Sequence, residues 1–231
     1  MNSNKSRKLF QTPFCAEYWK LASLEMKDLR ILVVAALLTA MRIAVKSLTI
    51  PVGPNLNITF GFLVNAIGSM IYGPVVAIVT SAISDTLGAI LFPHGTYFFP
   101  FIFEEIAGGV LFALFYYRAR LTSLRVILGR FAVTVIVNLI ISPIIMYYYY
   151  MTILGKSYMV FSLPRIIKNL VLFPLQSLIL ILFFNVLTPA TNSMDLTYTD
   201  GRKLQLERRD IILLVCMTLA AAGAIAAYYL L

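Results

Sequence analysis

Charge is scarce in this sequence: Asp, Glu, Lys and Arg make up 13% of its 231 residues, against 60% hydrophobic residues. That balance excludes an ordinary soluble domain. There is one histidine, His94, too few for a zinc or dinuclear metal centre and little to support nucleophilic catalysis. The two cysteines stand apart, Cys15 in a polar stretch and Cys216 in a hydrophobic one, and neither has a neighbour at metal-ligand spacing. Neither a disulfide framework nor a thiolate site is expected. The first 28 residues lack the apolar core and small-residue cleavage site of a signal peptide, so the first span inserts directly. "GKS" at 155–157 has Tyr150 where a phosphate-binding loop needs its first glycine, and ATP hydrolysis is not expected on this chain. Glu104 and Glu105 are followed by Ile106, Ala107, Gly108 and Gly109, without the arginine of a CAAX-type membrane protease. No catalytic residue, cofactor or metal is expected.

What the sequence has in abundance is apolar runs. Mean hydropathy is +0.87, and the runs are close to the roughly 20 residues that a helix needs to cross a hydrocarbon core. They lack the alternation of barrel strands, so the expected class is an all-α membrane protein. Spans are read at about 29–50, 57–72, 74–92, 98–117, 126–148, 163–187 and 211–231. Pro51, Gly53 and Pro54, then Gly73 and Pro74, then Pro93 and Gly95 punctuate the first three connections. Residues 1–28 form a basic extension, 29–187 a compact six-helix bundle, 188–210 a polar linker and 211–231 a seventh, Ala-rich C-terminal transmembrane helix that reads as an appendage.

The net charge of +9 follows topology rather than a nucleic-acid surface. Fourteen of the nineteen Lys and Arg fall within residues 1–30, 118–130 or 202–209, all on one side of this arrangement. By the positive-inside rule that side, and the N-terminus, are cytoplasmic. The other five, Arg42, Lys46, Lys156, Arg165 and Lys168, belong to the outer half.

On the sixth span Arg165, Lys168 or Asn169, Leu172 and Gln176 recur at helical spacing, which gathers the polar groups on one face. Pro164 suits a first helical position and puts both cations in the first turn, where they oppose the positive end of the helix dipole. A bound anion would offset that penalty. The plainer alternative is that the pair snorkels to headgroups, a reading that Asn169 and Gln176, deeper on the same face, weigh against. The first span adds Arg42 and Lys46, and the third adds Asp85, for which an ion pair with Arg42 or Arg165 is the structural alternative. His94, Tyr97, Phe98 and Phe99 lie near the outer loop, as a pocket or as an interfacial belt, and Tyr147–Tyr150 reads as belt. Cations, a few carboxylates and many rings suit an organic anion with a flat ring. Ala36, Ala40 and Ala44 form a small-residue stripe on the first span, fitted either to internal packing or to a partner helix.

The stripe, "GPVVAIVTSAISDTLGAILFPHGTYFFPFIFEEIAGGVLFALFYY" and "LPRIIKNLVLFPLQ" together resemble the folate-specific substrate-binding S component of energy-coupling factor (ECF) transporters, over roughly residues 29–187. The N-terminal extension and the seventh span depart from that family's six-helix pattern. The resemblance implies a prokaryotic cell-membrane protein, not itself an enzyme, that binds a folate from outside. It implies delivery with a membrane coupling subunit and two cytoplasmic ATPases, with "PVGPN" and "FPHGTY" as gating loops. Ala36, Ala40 and Ala44 would dock the coupling subunit. Arg165 and Lys168, with Arg42 as a third, would hold the glutamate carboxylates. Asp85 and Asn169 would pair with the pterin, and Tyr97 or Phe98 would stack on it. An S component for another vitamin or organic anion, and an ion-coupled secondary carrier, are the alternatives.

Overall fold

The computed structural model describes residues 9–46, 49–53, 56–93, 96–197, 204 and 206–230. The described residues form seven helices and one short hairpin: α1 (Ala16–Glu25), α2 (Leu29–Lys46), β1 (Thr49–Gly53), β2 (Leu56–Thr59), α3 (Gly61–Leu91), α4 (Phe101–Tyr116), α5 (Ser123–Leu154), α6 (Leu163–Ser193) and α7 (Arg208–Leu230). Among the described residues α5 and α6, and α3 when its two arms are counted together, are long and apolar enough to cross a membrane. Large apolar side chains such as Leu37, Ile90, Phe103, Leu182 and Val186 remain exposed, as they would facing lipid rather than water.

The α2 helix shows how the bundle sorts its faces. Ile31, Ala35, Thr39, Arg42 and Ile43 are buried, one residue every three or four, while Leu29, Val33, Leu37 and Met41 point away. The helix stops at Lys46, earlier than hydrophobicity alone predicts. Beyond it β1 pairs antiparallel with β2, Thr49 opposite Thr59 and Ile50 opposite Ile58. Thr49, Ile50, Val52, Ile58 and Thr59 are β-branched, and apolar character does not distinguish such a pair of strands from the end of a span.

The second and third expected spans are the two arms of α3, residues 61–72 and 74–91. Gly73 lies between them at φ 75°, ψ −179°, a left-handed conformation that glycine adopts without strain, and Pro74 follows. The chain reverses here. A Cβ added to Gly109 of α4 would stand 2.6 Å from Ser81 Oγ and 3.4 Å from Asn65 Oδ1. Those side chains are each eight residues from Gly73, and along a straight helix they would be about 24 Å apart. Gly109 thus lets α4 approach both arms closely, with Asn65, Ser69 and Ser81 buried at the contact.

Thr122 caps α5, its Oγ1 accepting from the Arg125 N–H at 3.2 Å. Residues 133–141 then widen to i→i−5 pairing, and the Ser142 N–H reaches the Val137 carbonyl. Pro143 supplies the cause, since it has no N–H and its ring crowds the preceding turn. The α6 helix runs through Pro174 and Pro189 to Ser193, six residues past the expected end. The α7 helix does not hang free. The Asn185 side chain of α6 donates to the Leu204 carbonyl (3.1 Å) and accepts from its N–H (2.6 Å), and Leu214 of α7 joins the main core.

At the Gly73 end, α1 folds from what reads in sequence as a plain basic extension. Tyr18, Ala22 and Glu25, one face of the helix, are buried against Ala113 and Tyr117. The Tyr18 hydroxyl donates to the Ala113 carbonyl at 3.1 Å, and burial pushes its pKa well above the ordinary phenol range despite the nearby Arg125 charge, so it remains a donor. Arg118 pairs with Glu25 at 3.2 Å, and the Tyr117 hydroxyl donates to the same Glu25 oxygen at 3.0 Å.

Candidate functional site

At the opposite end a cavity of about 430 Å³ opens between the second arm of α3, the loop after it, α4 and α5. Its polar wall comes from Asp85 on α3 and Glu104 and Glu105 on α4. Its aromatic wall comes from Phe92, Tyr97, Phe98, Phe101 and Tyr149. The Phe98 ring meets Phe101 at 5.9 Å and Tyr149 at 5.6 Å, both edge-on, so three rings from loop, α4 and α5 brace one another. Tyr97 is 44% exposed at the mouth.

Of the residues singled out in the sequence, Asp85, Tyr97 and Phe98 line this cavity. Asp85 is buried, and Gly88 one turn on lines the same wall. His94 lies outside the described residues. Arg42 is buried behind the cavity, where its guanidinium donates to Ser81 Oγ at 3.1 Å and pairs with the Glu105 carboxylate. Arg42 therefore bridges α2, α3 and α4, and it reaches the cavity only through Glu105.

The α6 residues form a second group. Arg165 is half-buried and its Nη2 donates to the Tyr158 hydroxyl at 2.5 Å. Its Nη1 is buried without a hydrogen-bond partner among the described residues. Lys168 is half-buried beside it on the helix. Asn169 accepts from the Asn138 amide of α5 at 3.0 Å and donates to the Arg165 carbonyl at 2.9 Å. Gln176, deeper, is buried and accepts from Arg130.

Arg130 is where charge counting along the sequence misleads. It reads as one of the rim cations, yet seven residues into α5 it is buried, its guanidinium 4.8 Å from the Phe62 ring and hydrogen-bonded to Gln176. Tyr149 is the other residue the sequence reading passed over. In sequence it reads as belt with its three tyrosine neighbours, but Ser142, Met146 and Tyr149 share a helical face and all line the cavity. That four-and-three spacing is the signal that separates Tyr149 from Tyr148, which is 56% exposed.

A chain of rings joins the two groups. Tyr149 touches Tyr150 at 5.9 Å, Tyr150 lies against Tyr158 at 4.8 Å, and the Arg165 guanidinium stands 5.7 Å from the Tyr158 ring. An elongated ligand with a flat, nitrogen-rich head and an anionic tail matches this layout. Carboxylates and rings would face such a head, and the cations would lie further along. The small-residue stripe has a different surrounding: Ala36, Ala40 and Ala44 are all exposed on the outward side of α2 and contribute nothing to the core.

Residues 26–192 match the family described as the S component of ECF-type riboflavin transporters. The folate transporter FolT of Clostridium novyi (strain NT) is 29% identical over 155 residues, which cover 67% of this chain and 88% of that protein. The folate transporter FolT of Leuconostoc mesenteroides subsp. mesenteroides is 32% identical over 152 residues, covering 64% and 81%. Among solved structures, a crystal structure of FolT bound with folic acid aligns with a TM-score of 0.55 at 29% identity, over 64% of this chain and 86% of that one.

Proposed function

The chain belongs to the family of S components of ECF-type transporters, and we propose that it is a folate-binding member whose site is the cavity between the second arm of α3, α4 and α5. The observation that carries the substrate is the pairing of an acidic, ring-lined cavity with half-buried cations reached along Tyr149, Tyr150 and Tyr158. A pterin presents amino and ring N–H groups that Asp85 and its neighbours can accept, and a flat face for Phe98 or Tyr97. The glutamate tail presents carboxylates for Arg165, whose buried Nη1 makes no hydrogen bond among the described residues, and for Lys168. Riboflavin, the vitamin in the family's description, has a flat ring as well but no anionic group to use those cations.

In this reading the hairpin end faces outside and the Gly73 end, with Arg118, Arg120 and the N-terminal cations, faces the cytoplasm of a prokaryotic cell. The chain itself catalyses nothing. A membrane coupling subunit would dock on the exposed Ala36, Ala40 and Ala44, where small side chains allow close helix approach, and two ATPases bound to that subunit would drive uptake. Arg42 then acts behind the site, holding Glu105 in the wall, rather than on a ligand carboxylate. The test is a titration of the purified protein with folate and with riboflavin. Folate should bind and riboflavin should not; binding of riboflavin alone would overturn the substrate assignment and leave the family membership intact.

A further inference from the structure

The exposed flank of α1 has no role in the transport reading, and residues 16–25 precede the family match, which begins at residue 26. The helix is tied to the body on one face, through Tyr18, Leu21, Ala22 and Glu25. Trp19, 41% exposed, and Met26, 40% exposed, lie seven positions apart on the adjoining flank. Lys20 and Lys27, also seven apart, lie on the face opposite the buried one and are exposed. Phe14, just before the helix, is 91% exposed.

The depth of α1 follows from its anchors. Tyr18 bonds the Ala113 carbonyl, four residues before the Tyr117 cap of α4, and so lies about 6 Å along the helix axis from that end. The Phe10 N–H bonds the Arg118 carbonyl just beyond it, at 2.8 Å. Only residues 26–28 separate α1 from the start of the first span. With α4 as the fourth expected span, a helix pinned beside its last turn sits at the boundary of headgroups and acyl chains, roughly 5–10 Å deep. Its charge fits the lipid side of that boundary. Lys20, Lys27 and Arg30 are exposed, and Lys5, Arg7 and Lys8 precede them in sequence. Of the acids, Glu25 is held by Arg118, Asp28 accepts from the Arg30 N–H, and Glu17 alone lies on the exposed surface of the helix.

We infer that α1 is an interfacial anchor, with Trp19 and Met26 among the acyl chains of the leaflet at the Gly73 end and Lys20 and Lys27 on anionic phospholipid headgroups. This rests on the chain being a membrane bundle, and not on which vitamin it carries. Trp19 is the sole tryptophan, so its fluorescence reports on α1 without labelling. The full chain is placed in lipid nanodiscs containing phosphatidylglycerol and phosphatidylcholine, one or the other carrying brominated acyl chains, with iodide as the aqueous quencher. Brominated chains should quench Trp19, and brominated phosphatidylglycerol should quench it about two-fold more than brominated phosphatidylcholine at equal mole fraction. The double variant Lys20→Gln, Lys27→Gln should remove that preference while quenching by brominated chains persists. Quenching by iodide with none by brominated chains would overturn the inference, as would equal quenching by the two headgroup classes. Shielding of Trp19 that appears only when a membrane coupling subunit is added would assign the flank to a protein partner instead. Folate titration of the same discs keeps this result separate from the substrate reading.

Discussion

The two ends of the bundle handle their polar groups in opposite ways. At the Gly73 end, Glu25, Tyr117 and Arg118 are 1%, 1% and 2% exposed and bond one another. At the hairpin end, Asp85, Glu104 and Glu105 face a cavity of about 430 Å³, and the rings around them are half-exposed. One end is closed by contacts the chain makes with itself, and the other opens on a cavity that a ligand can fill. The Arg42–Glu105 pair stands between these regimes: Arg42 is buried, while the Glu105 side chain is 25% exposed at the cavity. Stability and binding should therefore be separable by mutation.

The largest effect is expected at the closed end. Glu25→Gln leaves the Arg118 charge buried without its counter-ion, a loss of about 3–5 kcal/mol. Thermal unfolding in detergent should show it, and the folate affinity of the protein still folded should be unchanged. A second substitution sharpens the contrast from the open end. Arg165→Ala removes the guanidinium assigned to a carboxylate and should weaken folate binding by about 1.5–3 kcal/mol with little change in unfolding. Unchanged affinity would return Arg165 to an interfacial cation. Between the ends, Gly109→Ala drives a methyl to 2.6 Å from Ser81 Oγ. Overpacking of this kind costs about 1–3 kcal/mol, and because Ser81 holds Arg42 the change should lower both stability and affinity. The smallest effect on either property is expected from Ala36→Leu with Ala40→Leu on the exposed side of α2. Binding and unfolding should stay as they are while transport is lost, and a loss of stability would mean the stripe packs within the protein.

Elements defined by local chemistry were legible in the sequence, and contacts between distant segments were not. Apolar runs and the Gly73–Pro74 pair marked the helices and their reversal, because span length and positive φ are properties of a few consecutive residues. Asp85, Tyr97 and Phe98 could be singled out, since a carboxylate and rings around an outer loop stand out in an apolar chain. The β1–β2 hairpin could not, as Thr49, Ile50 and Val52 read as a continuation of the apolar run before them. Arg130 was misplaced because distance along the chain from a turn does not say which way a side chain points. Glu25 and Arg118 are 93 residues apart, and nothing local to either announces the other. The partners of the α6 face, Asn138 for Asn169 and Arg130 for Gln176, likewise come from α5. Spacing on α6 showed that a polar face exists, and only the packing of the two helices showed what occupies it.

The central claim is that this chain captures a folate at the hairpin end and depends on separate ATPases to deliver it. Uptake of labelled folate, measured in cells carrying the chain with and without an ECF coupling module, tests it most directly. Accumulation should require both, and should stop when the ATPases are inactivated. Accumulation by this chain alone, unchanged by loss of ATPase activity, would contradict the account and point to an ion-coupled carrier.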